Sequence, residues 1–216
     1  CKGEIHKNSK ATGRRKSAQG LVKRVGFILL YYGRNPGKPR KTTKKDGKVM
    51  EYLQGDSVGR RMKKRQYKPY SEKEAAEIIL PSMKALRSIH ESYVVHGDIS
   101  PGNLICTKEG TVVLIDFGAA KYMTDKQPVL QAAFLKKNYA APEQYRTAKE
   151  GIPRDEGAWT DIYAMGATLY YLLTGHVPTD ALTRLSSKKT ELIPPKKYGV
   201  KIQKGYFQLI CQMMEL

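Results

Sequence analysis

Hydrophobic positions recur along this chain at helical spacing in two long stretches, with short β-like runs between them. After Ser71, the residues Ala75, Ile79, Met83, Leu86 and Ile89 return every three or four positions, which predicts a helix with one buried face. Ser71 with Glu74 three residues on is a capping box that starts this helix. Pro81 lies inside the pattern and predicts a kink rather than a stop. Residues 159–173 are strongly apolar and predict a second helix, closed by Gly175 and by Pro178 beyond it. Residues 104–107 and 112–115 read as two short strands joined by Lys108-Glu109-Gly110, a hairpin signal. Residues 49–53 read as a short apolar strand, followed by the turn-like Gln54-Gly55-Asp56. Further upstream, residues 21–32 suit one strand or a hairpin arm, and the Gly-, Pro- and Lys-rich residues 34–48 read as a loop. The pattern has no internal repeat. It predicts an α+β chain in which a helix-rich domain with small hairpins begins at about residue 49, behind a basic, poorly defined segment 1–48.

Composition adjusts this picture only slightly. With 216 residues and 40% apolar content, the chain has enough material for one domain and a buried core. No apolar run approaches the roughly 18 residues that a membrane-spanning helix needs. No secretory signal is visible, and the chain begins with Cys1 rather than Met, so a fragment or processed product is expected. Cys1, Cys106 and Cys211 have neither metal-ligand spacing nor a disulfide framework, and read as buried free thiols in a reducing cytosol.

Charge needs mapping before it is interpreted. Of the net +19, residues 1–68 carry +17, from 21 Lys/Arg against 4 Asp/Glu, while residues 69–216 carry +2, from 18 against 16. A basic arm of this kind could meet an anionic partner such as a nucleic acid or a membrane surface. It contains no groove-reading module and no basic–aromatic interleaving, so a solvated segment is the preferred reading.

Candidate chemistry sits where predicted elements meet. Asp98 follows the long helix, in His96-Gly97-Asp98-Ile99-Ser100-Pro101-Gly102-Asn103, and Asp116 follows the second hairpin strand, ahead of Phe117-Gly118. Taken singly, Asp98 is a turn residue and Asp116 a strand cap. Taken together, an Asp and an Asn five positions apart, facing an Asp from a neighbouring hairpin, suit phosphoryl transfer. That reaction needs a carboxylate near the attacking hydroxyl and oxygen ligands for magnesium.

The motifs resemble those of a known family. His-Gly-Asp-Ile-Ser-Pro-Gly-Asn-Leu resembles the catalytic loop of protein kinases, and Ile115-Asp116-Phe117-Gly118 their magnesium-binding motif. Ala141-Pro142-Glu143 resembles the motif that closes the activation segment, and Trp159 to Gly166 the helix that anchors the kinase core. Val49 to Leu53 resembles the hinge between lobes. The likeness covers about residues 49–216 and is greatest to bacterial serine/threonine kinases. It implies a kinase fold with a mostly helical C-terminal lobe and an incomplete N-terminal one, using ATP and Mg2+ on a protein substrate in the cytoplasm. It further implies that Asp98 orients the acceptor hydroxyl and that Asn103 and Asp116 hold the metal. The hinge backbone from Glu51 to Leu53 would pair with adenine, with Ile105 under the ring. Glu143 and Asp161 would be structural, and His96 and Phe117 would belong to a packed column.

Departures from the family pattern shape the expectations. Gly97 replaces the Arg that commonly answers a phosphorylated activation loop, which argues against that switch. Ser100 stands where many such kinases have a phosphate-contacting Lys, and would make a weaker contact. No glycine-rich phosphate loop precedes the hinge, Lys23 is the sole candidate for the ATP-positioning lysine, and no Glu lies between it and Glu51 to pair with it. The Arg that usually pairs with the Glu143 counterpart has no equivalent, which leaves a burial cost there. Two other functions compete with a protein kinase. A small-molecule phosphotransferase of the aminoglycoside or choline type is favoured by His96-Gly97-Asp98 and disfavoured by the motifs at 141–143 and 159–166. A pseudokinase or binding scaffold is favoured by the missing Lys–Glu pair and opposed by Asp98, Asn103 and Asp116.

Overall fold

The computed structural model describes residues 42–45, 48–51, 53–123, 135–145, 155–187 and 191–216, with side chains from Leu53 onward. The strand expected at 21–32, the candidate Lys23 and most of the basic arm lie outside the described residues.

Helix α1 spans Val58–Lys64, α2 Glu72–His90, α3 Ala158–Thr174, α4 Ala181–Ser186 and α5 Lys204–Met213. The capping box at the start of α2 is present: Ser71 Oγ accepts from the Glu74 N–H, and Glu74 accepts in return from the Ser71 N–H. The helix continues through Pro81 to His90, with Ala75, Ile78, Ile79, Ser82, Leu86 and Ile89 on its buried face. Helix α3 is apolar around its whole circumference, and residues 163–174 are all buried. Such a helix belongs at the centre of a domain. It packs against both α2 and α5, and Gly175 ends it in a left-handed conformation.

Strand β1 (Thr42–Lys45) pairs antiparallel with β2 (Lys48–Glu51). The loop expected over 34–48 therefore contains a strand. The β-branched Thr42 and Thr43, and the Asp46-Gly47 dipeptide between the two strands, favour a hairpin locally over the surrounding Gly, Pro and Lys. The turn expected at Gln54-Gly55-Asp56 is also corrected. Strand β3 (Gly55–Ser57) pairs with β5 (Leu104–Thr107), which pairs in turn with β6 (Val112–Leu114). Gly55 serves close approach rather than a turn, because a Cβ there would come within 2.3 Å of the Cys106 carbonyl oxygen. Two-residue strands β4 (Val94–Val95) and β7 (Lys121–Tyr122) form a last small ladder. The thiol expectation holds for Cys106, which is buried, and fails for Cys211, which is exposed on α5.

The core lies between α2, α3 and the back of the β5–β6 hairpin, and includes Leu86, Ile89, Leu104, Leu114, Met165 and Leu172. Its rim holds β4, the loop after it and the end of β6. The fold thus offers a rigid floor on which two loops meet.

Candidate active site

The loop from His96 to Asn103 is fastened to the core from below. Asp161, fully buried near the start of α3, accepts the backbone N–H groups of His96 and Gly97 at 2.8 Å each, and lies 2.8 Å from His90 Nε2. Gln144 Nε2 donates to the Gly97 carbonyl at 2.9 Å, while its Oε1 accepts the Ala141 N–H. Gly97 has φ +74°, and a Cβ would lie 3.3 Å from the Ala119 carbonyl oxygen, so glycine suits this turn sterically. His96 is buried with its ring 4.6 Å from that of Phe117, as the packed-column reading requires. Its Nδ1 accepts from the Asp98 N–H and its Nε2 donates to the Ile115 carbonyl, which fixes a neutral tautomer. Burial lowers its pKa in keeping with that state.

Asp98 is held by three contacts. Asn103 Nδ2 donates to its carbonyl at 2.7 Å and to its Oδ2 at 2.9 Å, and Lys136 Nζ donates to the same Oδ2 at 2.8 Å. Lys136 Nζ also donates to Ser100 Oγ at 3.0 Å, and Ser100 itself is buried. Asn103 ties this loop to the neighbouring strand, because its carbonyl accepts the Ile115 N–H at 2.9 Å. One residue further, Asp116 takes a left-handed conformation with φ +65°, and its Oδ1 accepts the Gly118 N–H. Asp98 and Asp116 line one cleft of about 320 Å³, together with Lys121, Lys136, Tyr139 and Glu156. Lys121 and Glu156 form an ion pair across its wall, and burial pushes the Tyr139 phenol well above its ordinary pKa.

The other expected residues stand apart from this cleft. Ile105 is half-buried on β5 between the buried Leu104 and Cys106, which puts it on the opposite face of the strand. Leu53 is half-buried just after Glu51, the last residue of β2. Glu143 is not left without a partner: Thr160 Oγ1 donates to it at 2.6 Å, while burial raises its pKa. A hydroxyl from α3 thus meets the carboxylate where an Arg was expected to be needed.

Magnesium is a test of the donor set. Among the described residues no cluster of three or more His, Cys, Asp or Glu side chains could hold a metal alone. A magnesium ion shared with phosphates needs only one or two carboxylates, with other oxygens and water completing its shell. Asp116 supplies such a carboxylate. Asn103 spends its amide nitrogen on Asp98 and keeps its amide oxygen for a cation, so the residues fit the ion.

Lys136, Gln144 and His90 contribute to the site without a sequence signal of their own. Lys136 is 38 residues from Asp98, and only the absence of a cation at Ser100 hinted that one must arrive from elsewhere.

Comparison with known proteins agrees with the geometry. Residues 42–212 match the family described as "Protein kinase domain". A protein of Clostridium perfringens named "Probable serine/threonine-protein kinase" is 33% identical over 175 residues, covering 77% of this chain and 24% of that one. A Corynebacterium efficiens protein of the same description is 34% identical over 137 residues, or 60% of this chain and 20% of the relative. Human ribosomal protein S6 kinase alpha-2 is 31% identical over 160 residues, or 70% and 21%. The chain therefore spans about a fifth to a quarter of the length of these relatives.

Proposed function

The chain belongs to the protein kinase domain family, and from that premise we propose that it transfers the γ-phosphate of ATP to serine or threonine hydroxyls of a protein substrate. One observation carries the reading: Asp98, oriented by Asn103, shares a cleft with Asp116. Asp98 Oδ2 is occupied by Asn103 and Lys136, which leaves Oδ1 to receive the proton of the acceptor hydroxyl. The hydroxyl oxygen forms the new bond to the γ-phosphorus as the bond to the β,γ-bridging oxygen breaks, and ADP leaves with those electrons. Mg2+ held by Asn103 and Asp116 would supply charge neutralisation on the phosphates. The backbone from Glu51 to Leu53 pairs with adenine in this reading, and Ile105 lies under the ring. No described helix is long and apolar enough to cross a membrane. We assign the reaction to the cytoplasm, where ATP and Mg2+ are supplied.

The test is transfer of labelled phosphate from Mg·ATP to a panel of protein substrates, with Asp98→Asn beside the unaltered chain. Loss of the basal base is expected to lower kcat about a thousandfold. Equal transfer by Asp98→Asn, or none by the folded unaltered chain, would overturn the reading.

A further inference from the structure

Between His96 and Asn103 the loop carries no Lys or Arg at all, because Ser100 stands where the resemblance calls for a lysine. The transferring phosphoryl group is anionic and passes beside the Asp98 carboxylate, so a cation there, in addition to the magnesium on the phosphates, lowers the electrostatic cost. The structure delivers a cation from another part of the chain. Lys136 Nζ donates to Asp98 Oδ2 at 2.8 Å and to Ser100 Oγ at 3.0 Å.

We propose that Lys136 is a catalytic residue: in place of the lysine that the resemblance expects at position 100, it sets a positive charge beside the γ-phosphate as that group passes to the acceptor hydroxyl. The inference rests on the phosphotransfer reading and extends it to a residue outside the catalytic loop. Three observations carry it. An ammonium has three donors, and two are spent on Asp98 and Ser100, so the third remains for a phosphate oxygen. The backbone at Lys136 is pinned, since its carbonyl accepts the N–H groups of Tyr139 and Ala140 at 2.7 and 2.9 Å. Lys136 also lines both the cleft that holds Asp116 and the groove that Ser100 lines, which puts its charge on the border between them. The next residue shows the contrast: Lys137 is 72% exposed and lies 3.7 Å from the buried Asp180, not against Asp98. Lys136 only donates hydrogen bonds in this step, and the proton of the acceptor still goes to Asp98.

A small buried Ser100 is part of the arrangement. It leaves room for the Lys136 ammonium and offers it a second acceptor. A reciprocal exchange should therefore rebuild the charge from the loop side.

The experiment compares kcat and KM for Mg·ATP in the unaltered chain, Lys136→Ala, Lys136→Arg, Lys84→Ala and the double variant Ser100→Lys/Lys136→Ala. Lys136→Ala is expected to lower kcat about a hundredfold with a KM changed less than about threefold. Lys136→Arg should recover part of the loss, the double variant at least about tenfold of it, and Lys84→Ala, at an exposed position of α2 away from both the cleft and the groove, should behave as the unaltered chain. Unchanged or increased kcat in Lys136→Ala would overturn the proposal, an increase identifying the Lys136–Asp98 pair as a latch on the base. So would a double variant of unaltered melting temperature that is no faster than Lys136→Ala. If the unaltered chain transfers no phosphate, the function fails separately, and lysine acetylation by limiting acetic anhydride decides the placement. Lys136 should react more slowly than Lys137, and more slowly still with Mg·ATP added; protection indifferent to Mg·ATP would sink the inference.

Discussion

A single buried carboxylate anchors the start of the loop that carries Asp98. Asp161 binds two successive backbone N–H groups and faces His90, so its charge is spread over three partners in a site from which water is excluded. The two N–H groups belong to His96 and Gly97, which aim Asp98. His96 is the residue whose protonation this arrangement resists. Burial holds its folded-state pKa below the ordinary 6.5. Above that value both the folded and the unfolded chain keep the ring neutral, and its contribution to stability is complete. As pH falls from there toward the folded-state pKa, only the unfolded chain takes up the proton, and the contribution is lost. Urea midpoints measured at pH 7.5 and 5.5 should fall in the unaltered chain by more than in His96→Asn, which cannot titrate. Equal drops would show that the acid sensitivity lies elsewhere.

At the level of elements, the two long helices and the β5–β6 hairpin were legible, while α1, α4, α5 and the strands β1 and β3 were not. Helix α2 announces itself by apolar spacing and by its cap, both of which are local. Ser71→Ala removes the acceptor for the Glu74 N–H and is expected to cost about 1 kcal/mol, read from the denaturant midpoint. A loss near zero would mean that Arg65, which also reaches Glu74 at 3.1 Å, suffices to hold the first turn. Gly55 shows why strands are harder to read. Its neighbourhood has turn composition, yet its role is set by the Cys106 carbonyl about fifty residues away, which a local pattern cannot contain. The strand at Thr42–Lys45 was hidden differently, its local β-branched signal outweighed by the Lys, Gly and Pro around it. Asp98, Asn103 and Asp116 could be singled out as candidates because two of them share one loop and the third begins the tripeptide Asp116-Phe117-Gly118. Lys136 was not, since it has no motif and acquires its role only when the chain returns to the loop.

For the molecule as a whole, charge placement constrains the substrate more than net charge does. Most of the +19 lies in the first 68 residues, but part of that excess is carried by α1, which is folded against β5 through Arg61. Beside Ser100 runs an open groove of about 650 Å³ lined by Arg60, Lys63, Lys136 and Lys137, with no acidic side chain among the described residues of its wall. Asp56 faces Arg60 at 3.6 Å and Lys64 more closely, so it offsets only part of this field, and from outside the groove. A peptide laid there with its hydroxyl at Asp98 would gain from acidic neighbours and would be repelled if basic. Peptides with Asp or Glu flanking the acceptor should therefore show kcat/KM at least about tenfold above otherwise equal peptides with Lys or Arg. The gap should narrow as salt shortens the screening length from about 10 Å at 0.1 M toward 3 Å at 1 M. A preference for basic flanks, or a preference indifferent to salt, would mean that the groove is not where the substrate lies.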